Sequence, residues 1–187
     1  MCATAPTGEC PVDDSEDSGE AARNGAIVLR PDGYAPSLSG VSLDDLERRG
    51  FRGIIVDLDN TLVGYGLRDL ADVDRAWVAR ARERGFRICL VSNNFTGRVE
   101  RISGELGVPG ISSALKPLPR GFLAALKVLE TPRSATVVVG DQLFTDVLGA
   151  KFLGLHAILT EPLVAQDWLG TRVLRTLERF LLGRKPS

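Results

Sequence analysis

Four apolar runs in this chain each end on polar or charged residues, and that repetition constrains the fold more than any single motif. Gly53-Ile54-Ile55-Val56 runs into Asp57-Leu58-Asp59-Asn60-Thr61. Residues 86–91 run into Ser92-Asn93-Asn94, and residues 110–115 into Lys116-Pro117. Residues 135–139 run into Gly140-Asp141-Gln142, with Asp146 five positions after Asp141. Short, nearly continuous apolar runs read as strands buried on both faces. The stretches between them read as helices. Leu70, Val73, Trp77 and Ala81 recur at helical spacing over 69–84, and Val99, Ile102 and Leu106 do so over 96–106. Ser42 caps a short helix over 41–50, and Gly50, Gly85 and Gly107 stop helices. Pro119 starts a helix that runs to about 129. The full order predicts strands at 52–57, 86–91, 111–114, 135–139 and 155–159, with further helices at 145–153 and 167–182. Strands alternating with helices imply an α/β fold: a three-layer, doubly wound, Rossmann-like parallel sheet. In such a sheet the carboxyl ends of the strands line one crevice. Asp57, Asp59, Ser92, Lys116, Asp141 and Asp146 therefore converge.

Each of these residues has an ordinary reading when taken alone. A carboxylate pair at a strand end is often a solvated loop, and Ser92-Asn93 resembles a helix cap. Lys116 alone is a solvated lysine, and Asp146 alone is a first-turn acid complementing a helix dipole. Two like charges crowded at a strand end nevertheless cost free energy unless a cation or a reaction uses them. Taken in order, the Asp pair, the Ser, the Lys and the second acidic cluster resemble the haloacid dehalogenase (HAD) superfamily of phosphotransferases. The segments DLDNT, SNN, LKP and GDQLFTD carry the resemblance, across residues 57–146. The flanks PDGYAPSLSGVSLDDLERRGFRGIIVDLDNTLV, LKPLPRGF, GDQLFTDVLGAKFLG and TRVLRTLERFLLGR are similar to the YqeG-like (subfamily IIIA) branch. That branch is related to the phosphatidylglycerophosphate phosphatases. One departure is Gly64-Tyr65-Gly66, where a bulkier and more acidic follow-on is usual. The response-regulator receiver uses similar residues, but its phosphorylated Asp ends a later strand, where this chain has Ser92.

The resemblance implies a phosphomonoester hydrolase with residues in named roles. Asp57 is the expected nucleophile, forming an aspartyl-phosphate. Asp59 is the expected general acid and base, with Thr61 holding the turn beside the phosphate site. Ser92, the Asn93 backbone N–H and Lys116 are expected to bind the phosphoryl group. Mg²⁺, which prefers hard oxygen ligands, is the expected cofactor. Its ligands would be Asp57, Asp59 through its backbone carbonyl, Asp141 and Asp146. Without a cation, the acids at 57, 141 and 146 repel one another.

Spacing speaks to the substrate. Asp57 to Ser92 is 35 residues and Ser92 to Lys116 is 24, neither long enough to insert a cap domain. An open site covered only by the loop 63–68 suits a phosphate presented by something large, such as a membrane phospholipid. A protein or small metabolite as substrate, or a non-catalytic binding protein on the same fold, are the alternatives. Intact Asp57, Asp59, Lys116 and Asp141 argue against the last.

At 187 residues, 44% hydrophobic and 25% charged, the chain fits one globular domain, expected over 27–187. A net charge of −1 gives no general attraction to nucleic acid. Residues 1–26 hold six acids against Arg23 and almost no large apolar groups, which predicts a disordered acidic tail. Residues 171–187 hold five bases against Glu178. There Val173, Leu174, Leu177, Phe180 and Leu181 oppose Arg172, Arg175 and Arg179, a pattern that packs on the sheet or lies on an anionic membrane. No run reaches the roughly 18 apolar residues of a membrane span, and the first residues lack the layout of a signal peptide. The expectation is a cytoplasmic protein with peripheral contact at the inner membrane face. Cys2, Cys10 and Cys89 read as free thiols, and His156 as structural.

Overall fold

The computed structural model describes residues 29–64, 69–94 and 97–163. The expected tail over 1–26 and the amphipathic helix over 167–182 lie outside them. So do Tyr65 and Gly66 of the expected substrate loop.

Among the described residues, six strands form one parallel sheet: β1 (Gly33–Ala35), β2 (Gly53–Asp57), β3 (Arg87–Val91), β4 (Gly110–Ile111), β5 (Thr136–Gly140) and β6 (His156–Thr160). Their order across the sheet is β1-β6-β5-β2-β3-β4. The helices are α1 (Leu43–Arg48), α2 (Asp72–Glu83), α3 (Arg98–Leu106), α4 (Pro119–Leu129) and α5 (Leu148–Phe152). A 3₁₀ turn (Arg133–Ala135) leads into β5, and a π turn (Leu143–Val147) leads into α5.

The apolar runs make this sheet because alternate residues feed opposite faces. Ile54 and Val56 of β2 are in register with Ile88 and Leu90 of β3 and with Val137 and Val139 of β5. Together they pack against α1, α2 and α3 through Leu46, Trp77, Val78 and Ile102. Ile55, Cys89 and Val138 face the other way, against Phe122, Ala125 and Leu129 of α4 and Ala150 of α5. The result is the expected three-layer doubly wound architecture. β2 pairs with both β3 and β5, so the chain order reverses there, and the crevice of such a sheet opens at that point. The links from β2 to α2, over 58–71, and from β3 to α3, over 92–97, are too short to hold a cap domain.

The structure corrects the sequence reading in several places. β1 was not predicted. It is three residues long, and Gly-Tyr-Ala carries no apolar pattern. It exists because it pairs with β6 and because the neighbouring Asp32 N–H donates to the Ala157 carbonyl at 2.8 Å. The second helix begins at Asp72, so Leu70 is buried ahead of it and Val73 is 57% exposed. Asp74 is buried instead and accepts from the Ser39 N–H at 3.2 Å. The segment expected as helix over 145–153 starts earlier as a π turn. Ser42 caps α1 as predicted, accepting from the Asp45 N–H at 3.2 Å. Gly107 ends α3 at φ +63, a conformation that disfavours other residues. Cys89 is buried and free, its thiol pushed up to about 12 by burial. His156 begins β6, at the opposite end of the strands from the polar clusters, with its ring 5.0 Å from Phe51.

Trp77 is 1% exposed, and its indole N–H donates to the Val41 carbonyl at 2.9 Å, tying α2 to the segment before α1. Trp77→Ala leaves a cavity and an unpaired carbonyl. It is expected to lower unfolding free energy by about 3–5 kcal/mol, read as a fall in the denaturant midpoint at unchanged slope.

Candidate active site at the carboxyl ends of the strands

Asp57 is the last residue of β2 and is 4% exposed. Beyond it the backbone folds back on itself. The Leu58 carbonyl accepts from the Leu62 N–H at 3.2 Å and the Val63 N–H at 3.0 Å, and the Asn60 N–H donates to the Val63 carbonyl at 2.9 Å. Asn60 adopts φ +71, a left-handed conformation that Asn tolerates better than most residues. The turn carries Asp59 and Thr61 back toward the strand ends. The buried Thr61 hydroxyl donates to Asp141 Oδ1 at 3.3 Å.

Lys116 arrives from the segment between β4 and α4 with its side chain 3% exposed. Its Nζ contacts Asp57 Oδ1, donates to Asp146 Oδ1 at 2.6 Å, and lies 3.4 Å from the Val91 carbonyl. The Asn93 side-chain amide braces the Lys116 backbone, accepting from its N–H at 2.6 Å and donating to its carbonyl at 3.0 Å. Asn93 thus has a positioning contact that the sequence reading did not foresee, since only its backbone N–H was considered there.

Asp141 and Asp146 follow β5. The π turn begins after Gln142, whose carbonyl accepts from the Asp146 N–H at 2.9 Å and the Val147 N–H at 3.3 Å. This extra residue per turn swings the Asp146 carboxylate back over Gly140, where Asp146 Oδ2 accepts from the Gln142 N–H at 3.1 Å. A Cβ on Gly140 would lie 2.4 Å from the Asp146 carboxyl carbon, so only glycine leaves room there.

Asp57, Asp141 and Asp146 each place a carboxylate oxygen within 4.8 Å of the others. Lys116 contributes one positive charge against three carboxylates. Burial foremost, then Asp146 and Asp141, holds the Asp57 carboxyl well above its ordinary range despite Lys116. Burial and Asp146 push Asp141 up to about 6. Burial alone would lower the Lys116 pKa, but the two carboxylates beside it outweigh that and raise it. Asp57 Oδ2 is buried and has no hydrogen-bond partner among the described residues. An unpartnered carboxylate oxygen within a surplus of negative charge and hard oxygen donors fits a divalent cation.

Asp59 pairs with Ser92, whose hydroxyl donates to Asp59 Oδ2 at 2.6 Å. Asp59 Oδ1 accepts from Arg98 Nη1 at 2.8 Å. The Asp59 carboxylate is therefore separate from the acidic trio, and any metal contact from Asp59 rests on its backbone carbonyl. Arg98 was missed by sequence reasoning. Its position offered a signal: it is the first residue of α3, where a cation opposes the helix dipole.

The raised acids set a pH dependence. Asp141 titrates near 6 in the folded chain against an ordinary 3.8, so between those values the folded state holds a proton that the unfolded state has released. The cation-free protein is expected to lose stability as pH rises across that window. Asp57 acts in the same direction. Melting scans should show this decline in the wild type, with a shallower one in Asp141→Asn. A divalent cation, which binds deprotonated ligands, should raise the melting temperature more at about pH 7.5 than at about pH 4.5.

Residues 67–154 match the haloacid dehalogenase-like hydrolase family. The chain is 38% identical over 153 residues to a Bacillus subtilis (strain 168) protein named "Probable phosphatase YqeG", covering 82% of this chain and 89% of that one. It is 30% identical over 151 residues to the Arabidopsis thaliana protein "Phosphatidylglycerophosphate phosphatase 1, chloroplastic/mitochondrial", covering 74% of this chain and 43% of that one. A solved structure of a hypothetical protein from Xanthomonas campestris is similar at a TM-score of 0.51 and 18% identity, covering 74% of this chain and 79% of that one, which is a likeness of fold. The alignment with the Bacillus protein spans most of both chains, and the chain belongs to the haloacid dehalogenase-like hydrolase family, in its YqeG-like phosphatase branch.

Proposed function

We propose that this protein is a Mg²⁺-dependent phosphomonoester hydrolase that works through an aspartyl-phosphate on Asp57, with phosphatidylglycerophosphate as its substrate. One observation carries the reading. Lys116, itself paired with Asp146, holds Asp57 by Oδ1, which leaves Asp57 Oδ2 buried and unpartnered among the described residues.

In the first step Asp57 attacks phosphorus, forming a new P–O bond as the bond to the leaving oxygen breaks. Asp59 gives its proton to that oxygen, and the alcohol departs. In the second step a water attacks the aspartyl-phosphate, Asp59 takes its proton, and the bond from Asp57 to phosphorus breaks to release phosphate. Ser92, the Asn93 backbone N–H and the Lys116 ammonium bind the phosphoryl oxygens, and Thr61 steadies Asp141. Asp57, Asp141 and the Asp59 backbone carbonyl would hold Mg²⁺, with Asp146 as a further ligand or support. Bound there, the cation supplies neutralisation of the charge on the transferring group.

The lipid reading has three supports. The links around the crevice hold no cap domain that would enclose a small molecule. Leu115 and Leu118 flank Lys116 in sequence, Phe144 lies between Asp141 and Asp146, and these three side chains are 45%, 37% and 51% exposed. The Arabidopsis relative is named for this substrate. No helix among the described residues is long and apolar enough to cross a membrane; the access proposed for a lipid is peripheral, at the inner membrane face.

Phosphate release from phosphatidylglycerophosphate in mixed micelles tests the reading. Release should need Mg²⁺, stop with EDTA, and fall about a thousandfold or more in Asp57→Asn. Asp57-dependent cleavage of an aryl phosphate but not of the lipid would discard the substrate and keep the mechanism. Activity on neither would discard both.

A further inference from the structure

We infer that Arg98 is a positioning residue that holds the Asp59 carboxylate aimed for proton exchange with the leaving oxygen. The inference rests on the hydrolase reading above. Asp59 lies beyond the strand, on a turn, with two rotatable side-chain bonds. Its carboxylate is nevertheless held from both sides. Arg98 Nη1 donates to Oδ1 at 2.8 Å and the Ser92 hydroxyl donates to Oδ2 at 2.6 Å. The Asn94 N–H donates to Ser92 Oγ at 2.9 Å, which leaves the hydroxyl proton directed at Asp59. A phosphoryl group bound by Ser92 would draw that proton away and free Oδ2 to carry the proton that Asp59 transfers, with Arg98 still holding Oδ1. The other arm of the guanidinium, Nη2, donates to the Gly64 carbonyl at 2.8 Å and lies 3.5 Å from the Val63 carbonyl. Arg98 thus ties the acid to the end of its own turn.

Three features argue that the contact is more than a surface ion pair. The two side chains are only 15% and 18% exposed, so water screens them weakly. The planar fork of Arg binds a carboxylate and a carbonyl at once, which a single ammonium cannot do with the same rigidity. Arg98 also opens α3, where the positive end of the helix disfavours a cation, so the helix itself gives no reason for an arginine there.

Leaving-group dependence separates positioning of the proton donor from general structural support. An alkoxide is too basic to depart without a proton, whereas nitrophenolate departs without one. The second-order constant kcat/KM reports the first step, in which this proton moves. The experiment measures kcat/KM in Mg²⁺ for wild type, Arg98→Ala and Arg98→Lys, with Asp57→Asn as the blank. The substrates are p-nitrophenyl phosphate and whichever is cleaved fastest among phosphatidylglycerophosphate and simple alkyl phosphates. Arg98→Ala is expected to lose about 10- to 100-fold on the alkyl ester and less than about threefold on the aryl ester. Arg98→Lys should recover part of the alkyl activity. Equal losses on both esters, or none on either, would overturn the inference while leaving the hydrolase reading intact. A wild type that cleaves neither ester would overturn the hydrolase reading and this one with it. If melting scans show that Arg98→Ala does not fold, Arg98→Lys decides: a loss confined to the alkyl ester supports the inference, and an even loss or no loss overturns it.

Discussion

Lys116 sets its ammonium between Asp57 and Asp146 with almost no access to water, where each charge alone would carry a desolvation cost on the order of several kcal/mol. Such a cluster persists only if every member is held in place, and much of the local architecture does that. Asn93 clamps the Lys116 backbone, the π turn brings Asp146 back over β5, and Gly140 leaves space for its carboxylate. The lysine leaves a surplus of negative charge, because Asp141 adds a third carboxylate. The crowding that these contacts have to hold together is also what makes the trio a group that could hold a metal ion.

The sheet supplies the rigid frame for that cluster. β2 and β5 are neighbours whose connections run to opposite edges, so their carboxyl ends border an open crevice rather than a crossing helix. Asp57 is placed by β2, Asp141 and Asp146 by the chain leaving β5, Ser92 by β3 and Lys116 by the segment after β4. Five groups from four strands meet without any long loop having to be ordered. The same economy leaves the crevice without an inserted cap domain among the described residues.

Most of the fold was legible because β2, β3 and β5 are buried on both faces and so carry nearly unbroken apolar runs. β1 was not, since three edge residues need only backbone pairing and exert little demand on side chains. The helical spacing of Val73 with Leu70, Trp77 and Ala81 does not make one buried face: the helix starts at Asp72 and turns Val73 to solvent, while Asp74 is buried and accepts from Ser39. The π turn was invisible because one extra residue in a turn leaves no mark on hydrophobic periodicity.

The sequence by itself determined the sheet, the order of its polar strand ends and the residue types gathered there. Those follow from burial and chain direction, which are local properties of each run. Tertiary structure alone decided how the side chains pair. Whether Asp59 faces the acidic trio or turns to Ser92 and Arg98 depends on the turn after β2 and on where α3 begins. The clamp of the Asn93 side chain on the Lys116 backbone depends on two chain segments 23 positions apart coming together. Hydrogen bonds and ion pairs act over about 3 Å, so they are settled only once packing has brought distant segments to that distance.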